Sequence, residues 1–375
     1  MANHNQPASK TPEFIKYPST WQFPGFKMEA LKIRSGELRA QGPKLALPAK
    51  ADFRGTVKIH GANISLVFRD CDNLSDVTLQ SRNKILTLDP GNNDNNGAAE
   101  FLAGIPFDRL AQSVFGTTKA KFKTLVIAGE FAGKDIHKGV GIAKVERFFM
   151  VFNICIDDLW RDMGRLSGVA LPEYRVFNIM NYKTFKVTIN LNADTSAVER
   201  QIMGYTQEVA NACPVAKALG GGGPGEGIVW TMLVPIRHHR ARILGFKTKA
   251  EIFLATAYAP RPRQTTTSTS MTQQPKGVAD EFVNYAVGQR RLEQGIEYMV
   301  EMGIPLKAEN VKSFTRWVTD DTLKEEAEQM KSVKAHPTLI CVKIGNFAGD
   351  WFGKYLQQVQ AEGKHNQKQS CRAVD

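Results

Sequence analysis

The hydrophobic pattern of the sequence changes its period once along the chain, and this change constrains the fold most. Between residues 50 and 258, short apolar runs alternate with turn residues, a pattern typical of many short strands with occasional helices. From Val278 onward, apolar residues recur every three or four positions, which predicts helices. Residues 259–277 are rich in Pro, Thr, Ser and Gln and offer almost nothing to bury, so they are predicted to be a linker.

These boundaries predict an α+β domain over residues 1–258, the linker 259–277, and a small all-helical C-terminal domain over residues 278–375. Hydrophobic residues make up 42% of the 375 residues, which is enough for a substantial core. The strands of the first domain are predicted to form antiparallel sheets with flanking helices.

Three predicted strands follow one another early in the first domain: residues 57–60, 64–68 and 77–82. Residues 61–63, which include a glycine and an asparagine, are predicted to form the turn between the first two. We therefore expect these strands to be successive antiparallel neighbours.

The formal net charge of +12 favours a polyanionic partner, either nucleic acid or an anionic membrane surface. No run of about eighteen apolar residues is present, so no membrane association is expected. The five cysteines are scattered, and no basic stretch followed by an apolar one opens the chain. These features favour reduced thiols and a cytoplasmic protein.

The segment Lys58-Ile59-His60-Gly61-Ala62-Asn63 directly follows a β-like run. A lysine amine attacks phosphorus only when it is deprotonated, and neighbouring positive charge promotes that state. Lys247 and Lys249 alternate along a predicted strand, so both side chains point the same way and could supply such charge. Lys-x-x-Gly alone favours a solvated strand lysine, and the other motifs reverse that preference.

Two carboxylates are framed by glycines. Glu130 stands in Gly129-Glu130-Phe131-Ala132-Gly133, where it can approach a sugar hydroxyl closely, and Glu226 lies between Gly225 and Gly227. A hard divalent cation needs an oxygen ligand such as the Glu226 carboxylate. Taken singly, each residue could also be an ordinary exposed acid.

The ordered set of motifs resembles the covalent nucleotidyltransferases, the superfamily of ATP-dependent ligases and mRNA capping enzymes. The segment 58–63 resembles motif I, and its histidine is typical of the RNA ligase 2 family of bacteriophages and kinetoplastid RNA-editing ligases. Most DNA ligases and capping enzymes have aspartate at the position of His60. Segments that resemble the later motifs follow in the order of the family: motif Ia at residues 81–83, motif III at 129–133, motif IIIa at 148–154, motif IV at 225–230 and motif V at 246–249.

The resemblance covers roughly residues 13–258 and implies a role for each site residue. Lys58 would accept AMP, and Glu226 would bind the metal. The other implied catalytic residues are His60, Lys247 and Lys249, and the lysines also contact the phosphates. The implied nucleotide site consists of Ile59, Asn63, Arg82, Glu130, Phe152, Glu226, Lys247 and Lys249.

Phe149 and Phe152 are predicted to lie on opposite faces of one strand, so only one of them can stack on adenine. Phe152 is favoured because the stacking aromatic of the family usually precedes an acidic residue. Asn153 holds that position here, which departs from the family pattern.

The resemblance implies an ATP-dependent RNA ligase that joins 3′-hydroxyl and 5′-phosphate ends through lysyl-AMP and RNA-adenylate intermediates. We expect ATP and Mg²⁺, or Mn²⁺ in its place, as cofactors, and a nicked RNA duplex or paired ends as the substrate. A monomer that repairs RNA is expected, located in the cytoplasm of a host cell if a bacteriophage encodes it.

Three alternatives stay open: a DNA ligase, a capping guanylyltransferase and a non-catalytic nucleic-acid-binding relative. His60 argues against the first two, as does the lack of an evident oligonucleotide-binding β-barrel after motif V. The presence of Lys58, Glu226, Lys247 and Lys249 argues against the third.

Overall fold

The computed structural model of the protein describes residues 12–35, 47–88, 95–233, 244–250, 277–333 and 335–372. It shows two antiparallel-rich sheets with flanking helices, followed by a group of helices, which confirms the predicted α+β class. The predicted linker lies outside the described residues except for Gly277. The domain boundaries at 258 and 278 therefore stay predictions.

The first sheet has five strands in the order β1-β11-β10-β2-β9. Only the β1–β11 pair is parallel among these described strands. The strand bounds are β1 Trp21–Gln22, β2 Lys50–Lys58, β9 Thr184–Asn190, β10 Gly227–Met232 and β11 Gly245–Lys249. Helix α1 (Phe23–Ser35), helix α4 (Ser196–Asn211) and helix α5 (Pro214–Ala218) belong to the same part of the molecule.

The second sheet has the order β4-β3-β5-β6-β7, and β8 pairs in parallel with β6. Its strands are β3 Ala62–Phe68, β4 Val77–Ser81, β5 Leu125–Ala132, β6 Phe148–Ile156, β7 Leu159–Trp160 and β8 Val176–Asn178. Helices α2 (Ala98–Ala103) and α3 (Phe107–Ser113) bury Leu102 and Leu110 in the core of this sheet.

The prediction that the strands before and after the turn at 61–63 pair with each other is wrong. Strand β2 pairs with β9 and β10 in the first sheet, whereas β3 pairs with β4 and β5 in the second. Strand β3 is almost wholly buried and flanked on both sides, so it has no edge left for β2. The chain instead crosses between sheets at Gly61, where a Cβ atom would lie 2.3 Å from the carbonyl oxygen of Phe131.

Each sheet has its own aromatic core. In the first, Phe53 and Phe246 pack at 5.5 Å between ring centroids, and Trp230 stacks on Phe246 at 6.1 Å. In the second, Phe68 and Phe131 are fully buried. Burying each such ring contributes about 1.5–3 kcal/mol relative to exposure, so the two cores stabilise the sheets on either side of the crossing.

Five described helices follow residue 277, and we call them the helical domain: α6 Val278–Ala286, α7 Gln289–Glu301, α8 Val311–Glu325, α9 Ala327–Ser332 and α10 Pro337–Arg372. Phe314 of α8 stacks on Phe352 of α10 at 4.6 Å in the middle of its core. In the part of the chain that the structure describes, no helix is long and apolar enough to cross a membrane.

Candidate active site

The candidate site is built at one end of the first sheet. Gly227 of β10 lies opposite Lys58 of β2 on one side and opposite Lys249 of β11 on the other. Glu226 directly precedes β10, so the antiparallel register brings this carboxylate between the two lysines. Three residues that are far apart in sequence, Lys58, Glu226 and Lys249, therefore converge because adjacent strands end together.

The Glu226 carboxylate is the centre of this cluster. Its Oε2 atom lies 2.6 Å from Lys58 Nζ and 3.3 Å from His60 Nδ1, and its Oε1 atom lies 2.8 Å from Lys249 Nζ. Burial alone would raise the pKa of Glu226, but the charges of Lys249 and Lys58 outweigh it and hold that pKa well below its usual range. The two lysines therefore favour the ionised form of Glu226.

Charges and burial act differently on the neighbouring basic groups. Burial would lower the pKa of Lys249, but the Glu226 carboxylate outweighs this effect and raises it. For Lys247 burial prevails and lowers the pKa, although the nearby Glu325 carboxylate opposes the change. Burial also lowers the pKa of His60, against the opposing effect of Glu226.

The second sheet supplies the other wall of the site. Asn63 of β3 and Glu130 of β5 are register partners, and Glu130 Oε1 accepts a hydrogen bond of 3.2 Å from the Gly61 amide. Burial raises the pKa of Glu130, while the charges of Lys58 and Arg82 lower it. Glu130 thus experiences the positive charge of both side chains.

Asn63 and Ile59 offer different groups to a ligand. Asn63 is only 8% exposed, and its Oδ1 atom has no hydrogen-bond partner within the described residues. An unpaired buried acceptor has a free-energy cost that a ligand hydroxyl or amine could remove. The side chain of Ile59 packs in the hydrophobic core, so only its backbone groups could contact a nucleotide.

The two candidate aromatic residues differ in exposure. Phe149 is fully buried in the core of the second sheet, whereas Phe152 is half-buried. Strand β6 carries a bulge here, because Ala128 pairs with Asn153 and Gly129 pairs with Val151, which leaves Phe152 without a cross-strand partner. A bulge redirects a side chain and often lies beside a functional site. Phe152 is therefore the aromatic residue of this pair that a base could reach.

Tyr17 lies against Phe152, a contact that sequence reasoning missed. The two rings meet edge to face at 5.6 Å, and the Tyr17 ring meets Trp160 in the same way at 5.5 Å. The Asn153 amide donates a hydrogen bond of 2.6 Å to the Tyr17 hydroxyl. The residue that departs from the family pattern thus fixes a tyrosine from the N-terminal segment.

Sequence reasoning also missed His137. Its ring stacks on His60 at 4.4 Å, and its Nδ1 atom lies 3.2 Å from Glu297 Oε1 on α7. Burial would lower the pKa of His137, but the Glu297 carboxylate outweighs it and raises that pKa. Nothing in the sequence around a single histidine after motif III shows whether it lies in the site, in the core or on the surface.

Comparison with known families identifies the chain. The family model described as RNA ligase matches residues 51–244, which is more than half of the 375 residues. The chain belongs to the RNA ligase family. This membership confirms the resemblance drawn from the motifs. The match contains Lys58, His60, Glu130 and Glu226, while Lys247 and Lys249 lie just beyond it.

The solved structures that resemble the chain include several of the RNA ligase of Naegleria gruberi. The structure with PPi has a TM-score of 0.40 and 15% sequence identity, over 65% of this chain and 58% of that ligase. A mutant of that ligase with AMP and Mn has a TM-score of 0.39 and 14% identity, with the same coverage. The chain thus spans less than two thirds of the length of these ligases. A search of curated proteins found no match to the chain.

Proposed function

We propose that the protein is an ATP-dependent RNA ligase that works through a lysyl-AMP intermediate on Lys58. One observation supports this proposal most directly. The buried carboxylate of Glu226 holds Lys58 through one oxygen at 2.6 Å and Lys249 through the other at 2.8 Å. Lys249 places a positive charge beside the nucleophile, which suits attack on a negatively charged phosphate, and Glu226 is a carboxylate that can take the proton from Lys58 Nζ.

In the first proposed step, the Lys58 amine forms a bond to the α-phosphorus of ATP, and the bond from that phosphorus to pyrophosphate breaks. The proton that Lys58 Nζ loses in this step would pass to the Glu226 carboxylate, whose Oε2 atom lies 2.6 Å from that nitrogen. Lys249 and Lys247 are placed near enough to influence one another electrostatically, and they would stabilise charge on the phosphate oxygens.

Glu226 is the residue that could hold a divalent cation, because a carboxylate is the oxygen donor that Mg²⁺ or Mn²⁺ requires. Both of its oxygens already contact lysine nitrogens, so a divalent cation would have to replace at least one of these contacts. A bound cation would neutralise part of the negative charge of the phosphate groups. Its remaining ligands would have to come from phosphate oxygens and water.

The second wall of the site would bind the nucleoside. The Asn63 Oδ1 acceptor and the Glu130 carboxyl group can receive hydrogen bonds from ligand hydroxyl or amino groups. The half-exposed ring of Phe152 is available for stacking on adenine. Arg82, exposed after β4, would reach a phosphate of the nucleotide or of the RNA end.

The two later steps would transfer AMP to an RNA 5′-phosphate and then join that end to a 3′-hydroxyl with release of AMP. The net charge of +12 suits binding of several phosphates, with marked salt dependence. We propose a nicked duplex or paired RNA ends as the substrate, a monomeric enzyme and a role in RNA repair. A bacteriophage origin and action in the cytoplasm of a host cell complete this proposal.

The proposed function is tested by supplying the intermediate that Lys58 is needed to make. We expect Lys58→Ala to give no sealed product from a 5′-phosphate nick with ATP, yet to seal a nick whose 5′ end already carries AMP. Lys50→Ala, at the opposite, exposed end of β2, is the matched control and should seal both nicks. Sealing of the 5′-phosphate nick by Lys58→Ala would contradict the proposal.

A further inference from the structure

The helical domain places three carboxylates on residues that surround the candidate site. Glu325 Oε2 lies 3.1 Å from Lys247 Nζ, and Glu297 Oε1 lies 3.2 Å from His137 Nδ1. Asn83 donates a hydrogen bond of 2.9 Å to Glu301. We call the three residues Glu297, Glu301 and Glu325 the acidic face.

The acidic face is a consequence of how two helices are arranged. Glu297 and Glu301 are four residues apart on α7, so they lie one turn apart on the same side of that helix. Glu325 is the last residue of α8. Buried Arg291 of α7 pairs with Asp321 of α8 and with Glu326, which fixes the two helices relative to each other.

Further contacts hold the end of α8 against the first domain. Gln22 donates a hydrogen bond of 3.3 Å to Glu325, and Lys324 donates one of 3.0 Å to Ser19. The Lys247–Glu325 pair is largely shielded from water, with side-chain exposures of 17% and 15%. Glu325 therefore accepts a hydrogen bond from the Lys247 ammonium group at a place where few water molecules can compete for that group.

The donors that the acidic face covers are the kind that bind phosphate. Ammonium, protonated imidazole and amide groups form charge-assisted hydrogen bonds to carboxylate and to phosphate oxygens alike. Lys247 is already assigned to phosphate in the proposed function. His137 and Asn83 border the same site, since His137 stacks on His60 and Asn83 follows Arg82.

We propose that Lys247, His137 and Asn83 are phosphate-binding positions for the RNA substrate, and that the acidic face covers them until RNA displaces it. This inference rests on the proposed function and adds His137 and Asn83 to the substrate site. It makes the helical domain an internal competitor of the polyanion. Binding of RNA must then break the three contacts, which lowers the apparent affinity.

Removing one carboxylate should therefore strengthen RNA binding. The probe is a nicked RNA duplex with a 5′-phosphate, titrated without ATP or divalent cations so that no chemistry occurs. We expect Glu325→Gln and Glu297→Gln each to bind it about fivefold more tightly than the wild type, as a shift away from the covered state. Fluorescence anisotropy of a labelled strand gives both affinities.

The matched control is Glu309→Gln, which makes the same charge change at an exposed residue beyond the other end of α8. It accounts for the general gain in RNA affinity that any lost negative charge produces. If Glu325→Gln or Glu297→Gln fails to fold, Glu301→Gln is measured in its place, because Glu301 forms an exposed hydrogen bond. Affinities for the acidic-face variants no tighter than for Glu309→Gln would overturn the inference.

The covered donors are tested separately by His137→Ala and Asn83→Ala, each of which should bind the nicked duplex several-fold more weakly. Unchanged binding would overturn the assignment of these residues. Self-adenylylation by ATP is measured on the same wild-type protein. If the wild type is adenylylated but the acidic-face variants bind RNA like the control, the inference fails and the proposed function stands. Absence of adenylylation would instead count against the proposed function.

Discussion

Glu226 organises the charges of the site, because it contacts Lys58, Lys249 and His60 at once. Replacing it with glutamine would remove the anion that both lysine side chains contact. We expect Glu226→Gln to lower the rate of self-adenylylation by on the order of 10²-fold or more, the scale seen when a charge-stabilising group is removed. Incubation with labelled ATP and isolation of the protein measures the rate.

The control for that variant is Glu173→Gln, which breaks a solvent-exposed pair with Arg109. Such pairs contribute little, so adenylylation should be unchanged. A Glu226→Gln protein that is folded and as active as the wild type would show that the carboxylate is not part of the chemistry.

At the residue scale, Lys58, Glu130 and Glu226 could be proposed before the structure was known, because each stands in a glycine-containing motif. The structure brings Lys58 and Glu226 into direct contact. His137 and Tyr17 could not be predicted, since their importance comes from neighbours remote in sequence: Glu297 for one and Asn153 for the other.

At the scale of elements, strand β6 separates a structural aromatic residue from an accessible one. Phe149 is fully buried, and the bulge at Phe152 leaves that ring half-buried. We expect Phe149→Ala to lower the free energy of unfolding by about 3–5 kcal/mol, as for other large-to-small core changes. Phe152→Ala should change stability much less and raise the KM for ATP in self-adenylylation.

Chemical denaturation and an ATP titration of adenylylation distinguish the two variants, and each serves as the other's control. A stable Phe149→Ala protein with weakened ATP use would mean that the roles are reversed. Sequence alternation correctly separated the two rings, but it could not reveal the bulge, because a bulge depends on the register with β5.

The crossing of the chain from one sheet to the other could not be predicted from the sequence either. A glycine-containing turn between two apolar strands ordinarily predicts a hairpin. Here β3 is flanked by β4 and β5, and Gly61 lets the backbone pass close to Phe131. This crossing puts Lys58 on one sheet and Asn63 on the other, so the candidate site lies where the two sheets meet.

At the scale of the whole molecule, the Lys247–Glu325 pair links the helical domain to the site. Burial would raise the pKa of Glu325, but Lys247 outweighs it and lowers that pKa from 4.5 to about 2. A carboxyl group whose pKa is depressed on folding stabilises the protein above its unfolded pKa. That contribution is lost as the pH falls from 4.5 toward about 2.

The stability difference between the wild type and Glu325→Gln should follow this window. We expect the wild type to have the higher Tm near neutral pH, and the difference to shrink as the pH falls below 4.5. Thermal unfolding of both proteins over a pH series measures it. A difference that is the same at every pH would contradict the ion pair as its origin.

The docking of the helical domain shows what patterns along a chain cannot predict. The helical period from Val278 was visible in the sequence, but Glu297, Glu301 and Glu325 are ordinary surface acids on that pattern. Their role depends on which face of the helices contacts Lys247 and His137, and this is decided by how the molecule packs.

The most direct test of the central claim is covalent labelling of Lys58. The purified protein is incubated with a divalent cation and with ATP or GTP labelled on the α-phosphate, and the modified peptide is identified by mass spectrometry. We predict acid-stable label from ATP alone, located on Lys58 and absent from Lys58→Ala. Label from GTP, label on another residue, or a folded protein free of bound AMP that takes up no label would contradict the proposed ligase chemistry.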